Sequence, residues 1–257
     1  MVSVGIDPRT QFQDDIARIV LNELGDEGFA LAGGGAVRAH GLSDRPTDDV
    51  DIFRDTPADE EAFAHDVERA IAALRAHGYT VTPDITAPLF TRVSVERDDG
   101  LSVHLDLSAN WRAEPPVLLE VGPVLSLRDS VAGKISALYS RAEARDFLDV
   151  DRARLHYTDE QLLAIGREDD NGFVPAIFAA RLADIRNLTA SDVAEYGVDA
   201  VEFGQIQQRT ISWALAIIAE HDPRAAARLR RLHADRTTPE AQPATPPPAP
   251  RPDPPTR

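Results

Sequence analysis

Apolar and polar positions follow helical and strand periodicities in turn over roughly the first 108 residues. Residues 11–24 place apolar side chains at helical spacing ahead of Gly25, which predicts a helix that ends at this glycine. Short apolar runs at 29–32 and 50–53 predict two strands, and residues 36–40 between them predict a short helix. The chain is therefore expected to begin with helix, strand, helix and strand in succession.

A longer helix and a hairpin are predicted after the second strand. Thr56 and Pro57 have the residue types of a helix cap and a first-turn proline, so a helix is predicted over 57–77. The apolar runs 89–96 and 101–107 flank an Asp-Asp-Gly sequence, which is typical of the turn of a β-hairpin.

From residue 125 onward the pattern is helical. The spacing of apolar residues predicts helices at 128–141, 144–157, 159–167, 175–187, 199–221 and 223–234. Nine of the nineteen prolines fall after Thr237, which predicts a disordered and partly polyproline tail. We therefore divide the chain into an α/β core at 1–124, a helical region at 125–236 and a tail at 237–257.

Composition narrows the class of protein. The chain has 257 residues, 43% of them hydrophobic, which is enough for a globular protein with one large or two small domains. The formal net charge is −16, and the charges of the tail cancel, so the negative charge belongs to the folded body. An acidic body argues against broad, non-specific binding of nucleic acid, but it does not exclude a local basic cleft.

The sequence also bears on the compartment. It has no cysteine and no signal-like start, which predicts a cytoplasmic protein without disulfides or thiolate metal sites. The longest apolar run, residues 213–219, is too short to cross a bilayer, so no membrane partner is expected.

The basic residues show an unusual bias. Of 27 lysines and arginines, only Lys134 is a lysine. A coding bias toward arginine explains most of this, but a guanidinium cannot replace an ammonium group where a compact charge is needed. Lys134 is therefore either a site residue or a chance survivor of the bias.

Three consecutive glycines, Gly33, Gly34 and Gly35, lie between the first predicted strand and the short helix. Backbone N–H groups at such a turn, with the helix dipole behind them, form an anion site that a phosphate can approach closely. Glycine-rich sequences are also common at ordinary tight turns, so this motif is weak in isolation.

Acidic residues on strands add to this picture. Asp49 and Asp51 share one face of the second strand, while Val50 and Ile52 face the core. Two adjacent carboxylates repel each other, and a cation that prefers oxygen ligands, Mg²⁺ or Mn²⁺, relieves the repulsion. Asp106, in VHLDLS, completes a metal site if its strand lies beside the second strand. Metal and phosphate sites together favour phosphoryl or nucleotidyl transfer, whereas Asp-x-Asp alone is also found at solvated edges and in Ca²⁺ loops.

The order of these motifs resembles the nucleotidyltransferase superfamily of the polymerase-beta type, and more narrowly the AbiEii/AbiGii toxin family of bacterial nucleotidyltransferases. The matching segments are LAGGGAVRAHG, RPTDDVDIF, VHLDLS and GKISALYSRAEARDFLDV, within roughly residues 28–154. The resemblance implies an α+β fold with a small mixed-sheet nucleotidyltransferase core and flanking helices. The helical C-terminal region and the disordered tail, which follow this core, are predicted from the spacing and composition alone.

The resemblance also implies roles for the matched residues. The implied nucleotide-binding residues are Gly33, Gly34, Gly35, Lys134 and Asp146. The implied catalytic residues are Asp49, Asp51, Asp106 and Lys134, and the three aspartates are the implied metal ligands. Members of the family usually have Thr or Ser where Gly35 stands, so a hydroxyl contact to phosphate or metal is missing here.

Other polar residues near these motifs have two interpretations each. Arg145 and Asp149 have the spacing of an ion pair within one helix, although both belong to the motif. Arg45 and Thr47 either fix the turn before the second strand or bind a ligand. His104 shares a strand face with the site, yet a sheet histidine satisfied by its neighbours is the simpler interpretation.

The leading hypothesis is an Mg²⁺-dependent nucleotidyltransferase that moves a nucleoside monophosphate from an NTP to an acceptor hydroxyl and releases pyrophosphate. The family suggests a toxin-like component of a bacterial toxin–antitoxin or abortive-infection system. A tRNA, another RNA or a protein is the candidate acceptor, and an antitoxin protein is a candidate partner. The alternatives are a non-catalytic nucleotide-binding module that acts through a partner, and an antibiotic-modifying nucleotidyltransferase.

Overall fold

The computed structural model describes residues 7–221 together with residues 224, 227 and 228. These residues form a seven-stranded mixed sheet with α-helices packed around it, followed by a helical region. The predicted α+β fold is therefore confirmed. The tail predicted at 237–257 and most of the helix predicted at 223–234 lie outside the described residues.

The elements are named in chain order. The strands are β1 (Phe29–Leu31), β2 (Asp49–Arg54), β3 (Thr80–Ala87), β4 (Phe90–Glu96), β5 (Ser102–Ala109), β6 (Val117–Leu119) and β7 (Gly122–Val124). The helices are α1 (Pro8–Leu24), α2 (Gly33–Ala39), α3 (Glu60–Ala76), α4 (Leu127–Ser140), α5 (Ala144–Ala153), α6 (Asp159–Asp169), α7 (Pro175–Ala183) and α8 (Ala200–His221). The strand order in the sheet is β3-β4-β5-β2-β1-β7-β6.

The centre of the sheet is built from β1, β2 and β5. Strand β2 runs antiparallel to β1 and parallel to β5, so both of its edges are paired. The predicted hairpin is confirmed as β4 and β5, which pair antiparallel across the turn that contains Gly100. This glycine has a φ of +84°, a conformation that favours a residue without a side chain.

The predicted start of α3 is wrong. The helix begins at Glu60 rather than at Pro57, because Asp59 is the residue that caps it. The Asp59 carboxylate accepts a hydrogen bond of 2.9 Å from the backbone N–H of Ala62, which satisfies a donor of the first turn. The predicted end is close, since α3 stops at Ala76.

Three strands lack a sequence signal that predicts them. Strand β3 lies at one edge of the sheet, and most of its side chains are exposed, so it has no apolar alternation. Strands β6 and β7 have three residues each and form the opposite edge. Two predicted helices are too long. The helix predicted at 144–157 ends at Ala153, and the last four residues of the helix predicted at 175–187 form a 3₁₀ turn at Asp184–Asn187.

Two large hydrophobic clusters hold the described residues together, and α2 contributes to both. One cluster packs α1 and α3 against the sheet and includes Val50, Ile52 and Ala36. The other cluster lies among α4 to α8 and includes Val37 of α2. A third, small cluster consists of Ala30, Ala32 and Leu125. Because Val50 and Ile52 face the first cluster, the opposite face of β2 is turned toward α4, and the glycine turn lies at the junction. The boundary at 124/125 stays a prediction.

Candidate active site

The structure brings together the three aspartates that the sequence analysis selects. In the parallel pair of β2 and β5, Asp51 lies directly opposite Asp106, and Asp49 lies two residues earlier on the same face of β2. One carboxylate oxygen from each residue lies within 4.8 Å of the other two. We call these three residues the carboxylate cluster.

Two members of the carboxylate cluster, Asp49 and Asp51, have no ion-pair partner within 4 Å among the described residues. Burial and, after it, the negative charge of Asp49 raise the pKa of Asp51 to about 7, although the charges of Lys134 and Arg92 act in the other direction. Adjacent carboxylates repel each other, and oxygen ligands at this spacing suit Mg²⁺ or Mn²⁺.

Asp106 is in a different state, because Arg92 of β4 binds both of its oxygens. The guanidinium donates from Nε to Oδ1 at 2.7 Å and from Nη2 to Oδ2 at 2.6 Å. Sequence reasoning missed Arg92, although the hairpin contains the signal. Counting outward from the Asp-Asp-Gly turn in antiparallel register places Arg92 opposite Asp106.

The glycine turn lies directly against the carboxylate cluster. Gly33 has a φ of +54°, and a Cβ added to it would overlap the Oδ2 atom of Asp51. A Cβ added to Gly34 would overlap the Thr47 methyl group. Both glycines line the cleft, and the first N–H groups of a helix have no acceptor within that helix. The backbone can therefore approach an anion beside the carboxylate cluster.

Gly35 has a different environment. Its position is buried and faces the sheet, since an added Cβ would lie 2.9 Å from Cδ1 of Leu31. A serine or threonine at this position would displace Leu31 from its present packing. Gly35 does not line the main cleft, so only its backbone N–H is available for the predicted nucleotide contact.

Lys134 lies on α4 in the opposite wall of the cleft and is buried. Its Nζ is 3.0 Å from Oδ2 of Asp149, and Arg45 donates from Nε to the other oxygen of Asp149 at 2.8 Å. Burial alone would raise the pKa of Asp149, but the hydrogen bond from Arg45 and the charge of Lys134 outweigh it and lower the pKa. Asp149 thus fixes two cations at the cleft.

The interpretation of Arg145 and Asp149 as an ion pair within one helix is wrong. Arg145 instead contacts Asp48 at 2.8 Å and Glu143 at 3.0 Å. Asp149 is taken by Arg45, which comes from the loop before β2. Arg145 is left at the rim of the cleft, where it lines the opening.

Asp146 is fully buried and does not line the cleft. Both of its oxygens accept hydrogen bonds from Arg141 at 2.9 Å, and one also accepts from the backbone N–H of Glu143 at 3.1 Å. The structure therefore does not bring Asp146 to the place of the predicted nucleotide contact. It holds Arg141, which does line the cleft.

Thr47 and His104 both have structural partners. Thr47 is buried and donates to Gln13 Oε1 at 2.9 Å, so it fixes the segment that packs against the glycine turn. His104 is exposed, lies 3.3 Å from Asp84 and does not line the cleft. The simpler interpretation of this histidine agrees with its place in the sheet.

The whole site is a cleft of about 290 Å³ between the sheet and α4. Its acidic side chains are the carboxylate cluster with Asp48 and Asp129, and its basic side chains are Arg45, Arg92, Lys134, Arg141 and Arg145. In a chain with a net charge of −16, the cleft is thus a place where positive and negative side chains are equal in number.

Comparison with known proteins decides the family. The model of the family described as "Nucleotidyl transferase AbiEii toxin, Type IV TA system" matches residues 16–169, more than half of the chain. This chain belongs to the AbiEii family. AbiEii membership makes it a nucleotidyltransferase of the toxin–antitoxin type, which the resemblance had implied. No curated protein matches it in sequence.

Solved structures show the same fold as this AbiEii chain. JHP933 from Helicobacter pylori is 18% identical, with a TM-score of 0.51 over 89% of this chain and 100% of that chain. A second H. pylori protein, provisionally described as a nucleotidyltransferase, is 17% identical with a TM-score of 0.52, over 88% of this chain and 99% of its own. MenT4, a nucleotidyltransferase toxin from Mycobacterium tuberculosis, is 16% identical with a TM-score of 0.48, over 87% and 93%.

A helix that spans a membrane must be long and apolar. Within the part of the chain that the structure describes, every helix is too short or too polar to serve as a membrane span.

Proposed function

We propose that this AbiEii nucleotidyltransferase transfers a nucleoside monophosphate from an NTP to an acceptor hydroxyl and releases pyrophosphate. The observation that carries the proposal is the carboxylate cluster: three aspartate oxygens within 4.8 Å of one another, beside a glycine turn that lines the same cleft. Asp49, Asp51 and Asp106 would hold a divalent cation, Mg²⁺ or Mn²⁺.

When bound, the cation would neutralise negative charge on the phosphates and on the attacking oxygen. The acceptor oxygen would form a bond to the α-phosphorus while the bond from that phosphorus to the bridging oxygen breaks. The pyrophosphate leaves with the bridging oxygen. The hydroxyl proton would leave to water, and the negative charge of Asp106 would favour its loss.

The chain's own residues would bind and orient the triphosphate. The N–H groups at Gly33 and Gly34 would bind phosphate oxygens, as at other helix starts. Lys134 would neutralise charge that develops on the leaving group. Because Asp149 fixes its ammonium group at 3.0 Å, Lys134 would lose little side-chain entropy when the substrate arrives.

An RNA, with tRNA as one candidate, is the acceptor class that we favour. The objection from the acidic net charge weakens because the cleft has five basic side chains against five aspartates, and is therefore far less acidic than the chain as a whole. A protein acceptor is the alternative, and an antitoxin protein is the proposed partner. The cytoplasm, where NTPs and RNA are present, is the proposed location.

The experiment compares α- and γ-labelled NTPs incubated with Mg²⁺ and either total RNA or a protein extract. The wild type should transfer label from the α-phosphate but not from the γ-phosphate. Asp49→Asn should reduce transfer by at least about 1,000-fold, since it removes a charge from the proposed metal site.

Asp98→Asn is the matched control, because this aspartate lies in the exposed hairpin turn outside the cleft. It should transfer at the wild-type rate. Transfer by Asp49→Asn at the rate of the control, or label from the γ-phosphate alone, would contradict the proposal.

A further inference from the structure

The cleft does not end at the carboxylate cluster. Phe53 follows Asp51 by two residues on the same face of β2, which is about 7 Å along the strand. Phe53 lines both the main cleft and a second cavity of about 360 Å³. Leu125 and Gly133 line both spaces as well, so the second cavity is a continuation of the first.

Trp111 lines the second cavity and is half exposed. The backbone on both sides of it is fixed. The N–H of Asn110 donates to the carbonyl of Arg54 at 2.9 Å, and the N–H of Ala113 donates to Asp129 at 3.0 Å. An exposed indole ring contributes little to the free energy of folding, because its apolar surface stays in water. The exposure of Trp111 on a fixed backbone segment therefore favours a role in binding.

The chemistry of the cavity favours one kind of ligand. An indole and a phenyl ring offer flat apolar faces, on which a nucleobase stacks favourably. Asn110, Ser136, Asp129 and Asp169 also line the cavity and supply polar atoms. The carboxylate cluster lies about 7 Å from Phe53 along β2, a span that a single nucleotide can cover.

We propose that the cavity between Phe53 and Trp111 is a nucleobase subsite, with the base stacked on the indole of Trp111. The proposal rests on the proposed function, because it assumes that phosphates bind at the glycine turn. The base belongs either to the incoming NTP or to the acceptor nucleotide. Both sources share the same stacking chemistry, and the experiment separates them.

The fluorescence of Trp111 provides the test. The chain has two tryptophans, and Trp213 is buried among the helices, so ligands at the cleft should change mainly the emission of Trp111. The wild type is titrated with each NTP and Mg²⁺, with inorganic tripolyphosphate as a ligand that lacks a base, and with a single-stranded oligoribonucleotide. Calorimetry measures the binding of each ligand independently.

The proposal predicts quenching of Trp111 by a ligand that has a base, and none by tripolyphosphate. Trp111→Phe should retain affinity within about twofold and lose the quenching, with the emission of Trp213 reporting an intact fold. Trp111→Ala should weaken the base-containing ligand about 10-fold or more, while tripolyphosphate binding stays within about twofold.

The source of the base follows from which ligand responds. Quenching by NTP alone assigns the subsite to the nucleotide substrate. Quenching only by the oligoribonucleotide, with a raised KM for the acceptor and an unchanged KM for NTP in Trp111→Ala, assigns it to the acceptor.

Two results would overturn the proposal, and they differ in whether the proposed function is also refuted. If tripolyphosphate binds, label transfer proceeds and Trp111→Ala behaves like the wild type with every ligand, the subsite is refuted and the proposed function stands. If tripolyphosphate and NTP both fail to bind and no label is transferred, the proposed function fails and the subsite fails with it.

Discussion

The carboxylates on the two sides of the cleft differ, because Asp49 and Asp51 on the sheet are partly exposed and Asp149 on α5 is buried. The pKa values of Asp51 and Asp149 shift in opposite directions. On the sheet side, burial and the charge of Asp49 raise the pKa of Asp51 to about 7. On the helical side, Asp149 is buried, yet Arg45 and Lys134 overcome the effect of burial and lower its pKa. Burial alone therefore does not decide the state of either group.

The difference between the two sides is the supply of cations. Asp149 has its counterions within the chain, at 2.8 Å from Arg45 and 3.0 Å from Lys134, so it is complete when the protein folds. Asp49 and Asp51 have none within 4 Å among the described residues, so their charge balance depends on something that binds. We infer that Asp149 has a structural role, and that Asp49 and Asp51 are the carboxylates available to bind a cation.

The largest expected effect on stability is that of Asp149→Ala. It leaves Arg45 and Lys134 buried without their carboxylate, and removing one partner of a buried ion pair typically costs about 3–5 kcal/mol. Urea unfolding of the metal-free protein at pH 7 measures the loss. A loss below about 1 kcal/mol would mean that the two cations find other partners, and that Asp149 does not have a structural role.

Asp51→Asn should have the next largest effect, with the opposite sign. Because the folded pKa of Asp51 lies above the unfolded value, the wild type is most stable when this carboxyl is protonated, below about pH 4. That stability is lost as the pH rises through about 7. The variant avoids the loss and should be more stable at pH 8, by up to about 4 kcal/mol.

Unfolding in the presence of EDTA at pH 4 and pH 8 checks this prediction, since the advantage of the variant should vanish at pH 4. Saturating Mg²⁺ should stabilise the wild type at pH 8 and have less effect on the variant. An equal difference between the two proteins at both pH values would contradict the raised pKa.

Gly33→Ala should cost about 2 kcal/mol and weaken binding of the cation. The added methyl group meets Asp51, and the φ of +54° is unfavourable for alanine by about 1–2 kcal/mol. Gly41→Ala is the matched control, since it has a φ of +72° and no atom within 4 Å of its added Cβ. Unfolding and Mn²⁺ titration should show that only Gly33→Ala impairs binding.

The smallest expected effect is that of Asp48→Asn. Its pair with Arg145 lies at the rim, where the Asp48 side chain is 79% exposed. Exposed pairs contribute little, so the free energy of unfolding should change by less than about 0.5 kcal/mol. Urea unfolding alongside Asp149→Ala gives the contrast between a rim pair and a buried one.

The carboxylate cluster was largely predictable from the sequence, whereas the basic side chains of the cleft were only partly so. Alternation along β2 places Asp49 and Asp51 on one face, and this local rule needs no knowledge of the fold. That Asp106 joins them depends on the parallel pairing of β2 with β5, which the sequence analysis could state only as a condition. The pair of Arg45 and Asp149 joins residues 104 positions apart, so no local spacing predicts it. The spacing of four that is present, between Arg145 and Asp149, pointed to the wrong pair.

The predicted start of α3 was wrong because two local signals for a helix start compete in this segment. Thr56 and Pro57 have the right residue types for a helix start, yet Asp59 has the acceptor in reach of the first-turn N–H groups. Strand β3 is an edge strand with little apolar surface to bury, so its own sequence does not predict a strand. Its backbone pairing with β4 stabilises the extended conformation instead.

Because Gly33 and Asp51 are in contact, substitutions at these two positions depend on each other during evolution. While the aspartate remains, a side chain at position 33 is excluded by the atoms of Asp51 itself. Once Asp51 is lost to a smaller residue, the steric exclusion disappears and only the backbone preference remains. In a lineage of such genes, the glycine should persist as long as the acid does, and genes that have lost both should be the ones whose product no longer catalyses.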